Sequence, residues 1–452
     1  MPDNSERLVV IGGDAAGMSA ASQARRQRAD LQIVAFERGG YTSYSACGLP
    51  YYVGGVVDDP ERLIARRPDQ FQARQIDARV RHEVEEIDLV QRRVRVRRLE
   101  DGQVIHEPFD QLVIATGAVP IRPSLPGSDA GAIYGLATLD DGLRVRQAVE
   151  RDHPARAVVV GGGYIGLEMA EALVMRGLQV SLVERSAAVM ATLDPDMGDL
   201  VSQALRDVGV RLYLEEAVLG FETHNGQVAA VSTDRRTLEA DLVILGIGAR
   251  PNVALAGAAG IPLGATGAIQ VNPRMQTDVD GVRAAGDCVE SFHLVSRRPV
   301  HIALGTIANK QGRVCGINLG GGYATFPGVV GTAVSKICAV EVARTGLNER
   351  QARAAGFQYV VGTIQSTTRA SYYPGAGRIT VKVLAEQGSG RLLGAQIVGI
   401  EGAAKRIDVF ATALFAGMTA DEFMYLDLSY APPFSPVWDP VLIAARKAAE
   451  QL

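Results

Sequence analysis

The feature that most constrains this chain is one pattern met twice: a short apolar run, a glycine-rich turn, a stretch of helix formers, a second short run and then an acid. In the first copy Arg7 to Ile11 leads into Gly12-Gly13-Asp14-Ala15-Ala16-Gly17, Met18 to Arg28 reads as helix, and Leu31 to Phe36 ends at Glu37. In the second, Ala157 to Val160 leads into Gly161-Gly162-Gly163-Tyr164-Ile165-Gly166, Leu167 to Arg176 reads as helix, and Gln179 to Val183 ends at Glu184. One glycine turn of this kind is weak; two complete units are hard to obtain by chance. The first glycine of such a unit makes the tight turn, and the next lets the backbone approach a pyrophosphate held at a positive helix N-terminus. The acid then accepts hydrogen bonds from an adenosine ribose. Asp14 stands where a third glycine is usual, and its carboxylate should point away from phosphate. Glu184 favours the free ribose hydroxyls of NADH over the added phosphate of NADPH, and the adjacent Arg185 softens that preference, so NADPH stays possible.

Length and charge narrow the rest. At 452 residues the chain predicts about three folding units. Its 46 Lys and Arg nearly balance 50 Asp and Glu, without a long basic block to follow a phosphate backbone, so nucleic acid is not an expected partner. The longest apolar stretches, such as Leu8 to Gly13, fall far short of the ~20 residues that cross a bilayer, and no membrane partner is expected. Met1 to Arg7 carries no basic-then-apolar leader pattern, which predicts a cytoplasmic protein. The four cysteines, at 47, 288, 315 and 338, have no C-x-x-C spacing. No metal site is expected, and thiol chemistry must begin with a lone cysteine.

Two nucleotide units, the second inserted in the first, resemble the pyridine nucleotide-disulfide oxidoreductases, the family of glutathione reductase. Leu112 to Ala118 resembles the family's first crossing between domains, and Leu242 to Asn252 the return crossing. Gly281 to Asp287 resembles the second FAD motif, and Gly331-Thr332 with Ala343 to Leu347 the opening of the interface domain. The resemblance implies an α/β fold: two Rossmann-like dinucleotide-binding domains plus a C-terminal α+β dimerisation domain. The segments are 1–118 and 250–325 for FAD, 119–249 for NAD(P)H and 326–452 for the homodimer. It implies FAD contacts at Gly12, Gly13, Ala16, Gly17, Glu37, Arg38, Ser43, Thr116, Gly117 and Asp287. NAD(P)H contacts fall at Gly161, Gly163, Tyr164, Ile165, Gly166, Glu168, Glu184 and Gly248, with Tyr164 as a gate and Glu168 near the nicotinamide.

The run Ser43-Tyr44-Ser45-Ala46-Cys47-Gly48-Leu49-Pro50-Tyr51-Tyr52 narrows the family. Ser43 stands where glutathione reductase has its first cysteine, so no internal disulfide can form. The single-cysteine motif resembles coenzyme A disulfide reductases, together with NADH oxidases, peroxidases and persulfide reductases. Cys47 is then the nucleophile, its thiolate favoured by a helix start and an adjacent flavin. Ala15 occupies the position at which the oxidases and peroxidases carry a histidine, and Asp427 to Pro440 lacks the histidine of glutathione reductase. Tyr430-Ala431-Pro432-Pro433 and Ala370 to Gly375 instead resemble the coenzyme A disulfide reductases, in which Tyr372 and Tyr430 would come from the partner subunit to share the active site. Gln23, Arg26 and Ser43 match coenzyme A contacts, and an arginine fork suits phosphate. The implied reaction is NAD(P)H-dependent reduction of coenzyme A disulfide, or a related small disulfide, through FAD and Cys47, with coenzyme A as substrate or as a resting mixed disulfide. The alternatives are an NADH oxidase, a persulfide or polysulfide reductase, and a redox-sensing flavoprotein. No sulfur-transfer module is expected beyond Leu452, which lowers the persulfide reading.

Overall fold

The computed structural model describes residues 6–452; the readings that fall on residues 1–5 lie outside the described residues. Both glycine units form as the pattern predicts. The first parallel sheet runs, in spatial order, Val282–Ala284, Gln111–Ile114, Arg7–Ile11, Gln32–Phe36 and Ile76–Arg79. Its central residues Leu8, Val9 and Val10 are fully buried, because helices or loops cover both faces. The second parallel sheet runs Arg211–Leu214, Gln179–Glu184, Arg156–Val160, Leu242–Leu245 and Ile133–Gly135. Between the two, Ala118–Pro120 pairs antiparallel with Ala249–Pro251, so both crossings of the chain run side by side.

In each unit the register brings the glycine turn and the acid together. Ile11 pairs with Phe36 and Val160 with Val183, and the turn and the acid follow at once. The helices span Ala15–Gln27 and Tyr164–Met175. They start three residues earlier than the helix formers suggest, since the end of each glycine motif is itself the first helical turn.

The C-terminal part is a five-stranded antiparallel sheet ordered Ala333–Ile337, Val340–Gly346, Leu392–Gly399, Arg378–Glu386 and Tyr359–Thr367. Helices Ile407–Ala416 and Pro440–Ala449 cover it. This is the expected α/β, α/β and α+β composition. Two small antiparallel sheets, His82–Asp88 with Arg93–Arg98 and Val104–Pro108, and Val218–His224 with Gln227–Thr233 and Thr237–Glu239, add to what the sequence reading contained.

Two tertiary contacts position the site. Helix Gly305–Leu319 lies against Ala15–Gln27 so closely that a Cβ at Gly312 or Gly316 would overlap the carbonyls of Ala16 and Ala20. Lys382, almost wholly buried, joins the inserted unit to the C-terminal sheet. Its ammonium meets Glu349 at 2.7 Å, Asp196 at 2.8 Å and Asp194 at 3.2 Å, the multiple partners a buried charge requires. Among the described residues no helix is long and apolar enough to cross a membrane.

Candidate active site

The first glycine turn is shaped for close approach. Gly12 has φ +110°, and a side chain there would overlap the Ala115 carbonyl; the inner face of Gly17 is filled by the Gly12 carbonyl. The Glu37 carboxylate spans the turn, accepting the Gly13 N–H at 2.8 Å and the Gly39 N–H at 2.6 Å. The second turn repeats the arrangement: Gly161 has φ +100°, and Glu184 accepts the N–H of Gly162 at 2.7 Å and of Ser186 at 2.7 Å. Neither following helix has a side-chain cap; a Cβ at Gly117 would meet open space, and one at Gly163 only the Gly246 carbonyl oxygen at an ordinary 3.7 Å. Uncapped N–H groups at a helix start attract anions, so both clefts fit a dinucleotide pyrophosphate.

The Asp14 carboxylate accepts the Tyr44 N–H at 3.1 Å. Burial is the largest influence on it and raises its pKa from 3.8 to about 7, aided by Glu37 and Asp287 and opposed by the Tyr44 N–H. The fold holds a proton that the unfolded chain releases near 3.8, so this contribution to stability is full at low pH and lost as pH rises through about 7. An anionic pyrophosphate beside Asp14 follows the same sign. FAD affinity of the apoprotein is expected to fall as pH rises through about 7, by up to about tenfold per unit, and Asp14→Asn to flatten the slope. Flavin fluorescence quenching in titrations on both sides of neutrality measures this; equal slopes in the two proteins would refute it.

The cysteine segment is pinned to this turn. Ser43 donates its N–H to the Gly13 carbonyl at 3.0 Å while holding φ +45°, a conformation that a non-glycine residue adopts at a cost of ~1–3 kcal/mol. Cys47 sits in the short turn Ala46–Gly48 ahead of helix Leu49–Gly54. It is free and solvent-exposed, whereas Cys288, Cys315 and Cys338 are buried. The expected thiolate-favouring environment is not what the polypeptide provides. Partial burial raises the Cys47 pKa, and Glu168, Asp287 and Asp14 raise it further. A helical start this short has little dipole to oppose them.

Of the other expected residues, Asp287 and Glu168 act on Cys47. The Asp287 carboxyl is pushed up by burial, while His301 Nε2 lies 2.8 Å from the Asp287 carbonyl oxygen. Thr116 donates from Oγ1 to the Asn252 carbonyl at 2.7 Å, and Asn252 donates its N–H to Gly117 at 2.9 Å, closing the two crossings on each other. Gly248 has φ +98° and accepts the Ile121 N–H. Ala16 is buried, and Arg38 is exposed, 3.6 Å from Glu83. Tyr164, raised by burial, lies near Thr192 and Arg344, with Ile165 half-buried beside it. Glu168 is raised by burial and accepts a 2.6 Å hydrogen bond from Ser335 Oγ.

Gln23 and Arg26 also meet, Arg26 Nη1 lying 3.0 Å from Gln23 Oε1. The same oxygen receives Arg313 Nη1 at 3.2 Å, a cation absent from the sequence reading. The four-residue glycine spacing 312, 316, 320 marks the packing face beside it and was its only signal. Ser335 and Arg344 were missed as well, because they come from a different unit. Tyr372 and Tyr430 do not meet Cys47 within the chain; both are exposed and neighbour each other. Among the described residues no acid, histidine or cysteine cluster could hold a metal ion.

Residues 6–312 match the family model described as pyridine nucleotide-disulphide oxidoreductase, and residues 332–440 match the dimerisation domain of that family. The chain is 40% identical over 441 residues to the NAD(P)H sulfur oxidoreductase (CoA-dependent) of Pyrococcus abyssi, covering 97% of each. It is similar to the reduced CoADR-RHD structure of Bacillus anthracis, at TM-score 0.96 and 36% identity, over 99% of this chain and 80% of that one. The NAD-dependent persulfide reductase of A. fulgidus is also similar, at TM-score 0.95 and 40% identity, over 98% of this chain and 83% of that one.

Proposed function

The chain belongs to the pyridine nucleotide-disulphide oxidoreductases, and from that premise we propose that it reduces coenzyme A disulfide with NAD(P)H through the single sulfur of Cys47. The family makes it an FAD-dependent, NAD(P)H-using disulfide or persulfide oxidoreductase with a dimerisation domain. The observation that carries the finer reading is one exposed cysteine, hydrogen-bonded through its own loop to an uncapped, Cβ-free glycine turn, in a chain whose other cysteines are buried.

In this reading 1–118 and 250–325 bind FAD, 119–249 bind NAD(P)H and 326–452 pair the subunits. FAD is held by Gly12, Gly13, Ala16, Gly17, Glu37, Arg38, Ser43, Thr116, Gly117 and Asp287, and supplies a two-electron relay from nicotinamide to thiol. Gly161, Gly163, Ile165, Gly166, Gly248 and Glu184 hold the nicotinamide cofactor, Tyr164 gates it and Glu168 lies beside its ring. Cys47 attacks one sulfur of coenzyme A disulfide, forming a mixed disulfide and releasing one thiol. Two electrons then cleave the mixed disulfide and release the second. NAD(P)H and one proton are consumed for two thiols. In this reading the resting form is the mixed disulfide with coenzyme A. Gln23 and Arg26, joined by Arg313, face the phosphates of coenzyme A. Tyr372 and Tyr430 reach the sulfur from the partner subunit, and Tyr430 protonates the leaving thiolate.

A second reading is coenzyme A-dependent persulfide or polysulfide reduction. The Pyrococcus abyssi sulfur oxidoreductase supports it, since 97% of that chain is covered here. A sulfur-reductase name therefore does not depend on a fused module.

Steady-state turnover with coenzyme A disulfide, polysulfide plus coenzyme A, and oxygen tests the choice, each with NADH and NADPH. The expected result is fastest turnover with coenzyme A disulfide, together with an intact-mass adduct of coenzyme A size that reductant removes. Faster turnover with polysulfide selects the second reading. A bare thiol with oxygen turnover sinks both, and flavin reduction without any efficient acceptor favours the sensor.

A further inference from the structure

We propose that Arg406 is a positioning residue that sets the Tyr372 and Tyr430 pair for delivery to the partner subunit's Cys47, an inference that rests on the tyrosine roles proposed above. Both tyrosines sit on segments without regular structure, 368–377 and 425–439. Their rings are 75% and 46% exposed, so packing within the chain does not fix them. Where the hydroxyls lie depends on how the two loops are held relative to each other.

One guanidinium does most of that holding. Arg406 Nη2 donates to the Thr368 carbonyl at 2.9 Å and to the Phe434 carbonyl at 2.7 Å, one from each loop. Its Nε lies 3.0 and 3.2 Å from the Asp439 carboxylate oxygens, and Nη1 donates to the Gly402 carbonyl. Asp439 in turn caps helix Pro440–Ala449 through the Val441 N–H at 3.1 Å and accepts from Ser435 Oγ at 2.9 Å. The Arg406 and Asp439 side chains are only 11% and 12% exposed, which keeps the pair from being screened by water. Apart from this centre, the loops share the Ala370 N–H to Pro432 carbonyl bond at 3.1 Å and the contact between the tyrosines themselves. A planar fork that reaches two carbonyls and a carboxylate together suits this task, and a lysine ammonium lacks that geometry.

The proposal separates positioning from folding. Arg406→Met is expected to lower kcat/KM for coenzyme A disulfide by about 10- to 100-fold, as an ångström-scale displacement of a reacting group does. Flavin content, dimer assembly and the rate of flavin reduction by NAD(P)H are expected to stay at wild-type values. Arg406→Lys, which keeps the charge beside Asp439, is expected to fall in between and stands in should the methionine variant not fold. In a Tyr372→Phe/Tyr430→Phe background, either Arg406 substitution is expected to add less than about twofold, since residues acting through one another are not additive. A full additional loss in that background, or wild-type turnover in Arg406→Met, overturns the proposal while leaving the tyrosine roles standing. Wild-type turnover in the double phenylalanine variant overturns the tyrosine roles and the proposal with them.

Discussion

Replacing Cys47 by serine is expected to lower disulfide turnover by roughly three orders of magnitude or more, while NAD(P)H still reduces the bound flavin. A serine hydroxyl is not ionised near neutral pH and cannot form the mixed disulfide, so the acceptor half-reaction loses its chemistry. No other thiol can substitute. Burial raises Cys315 to about 12 and Cys338 to about 11, and Cys288 is wholly enclosed. Position 43 carries serine, so there is no second thiol in the loop. Anaerobic stopped-flow absorbance measures the reductive half and steady-state assays the whole cycle. Retention of a tenth of wild-type turnover by Cys47→Ser would remove the nucleophile assignment, and an undiminished oxygen reaction would locate electron exit elsewhere.

The second large effect separates the two glycine turns. Gly12→Ala is expected to yield protein without FAD and without activity toward any acceptor. Gly161→Ala is expected to keep FAD but raise KM for NAD(P)H by about 5- to 140-fold, taking ~1–3 kcal/mol for a strained φ and 1.4 kcal/mol per decade. Both positions have φ near +100°, and at both an added Cβ meets a carbonyl oxygen, that of Ala115 for Gly12 and of Gly246 for Gly161. Alanine therefore has to move the turn, and with it the N–H groups that face the ligand. Flavin absorbance per chain and the KM for each nicotinamide form read the two outcomes. Full flavin occupancy in Gly12→Ala would detach the first turn from FAD, and an unchanged KM in Gly161→Ala would detach the second from NAD(P)H.

Most of the architecture was legible because its determinants are local. A glycine at positive φ, an uncapped helix start and an acid after the next strand all lie within about thirty residues, as the spacing of the dinucleotide motif requires. The close contact at Gly312, Gly316 and Gly320 was not read from the sequence, because its partner helix is some 290 residues away, as the Gln23 to Arg313 bond shows. The surroundings of Cys47 were less legible. A cysteine near a helix start predicts a lowered pKa, and the neighbours that raise it, Glu168 and Asp287, come from two other segments.

From sequence alone came the two dinucleotide units, the lone cysteine of the 43–52 segment and the family, since backbone geometry at a turn is written in consecutive residues. Folding decided that burial and the charges of Glu168, Asp287 and Asp14 raise the pKa of that thiol, that Arg313 joins Arg26, and that Arg406 ties the tyrosine loops together. Charge–charge energy and desolvation depend on distance and burial through space, and neither follows from position along the chain.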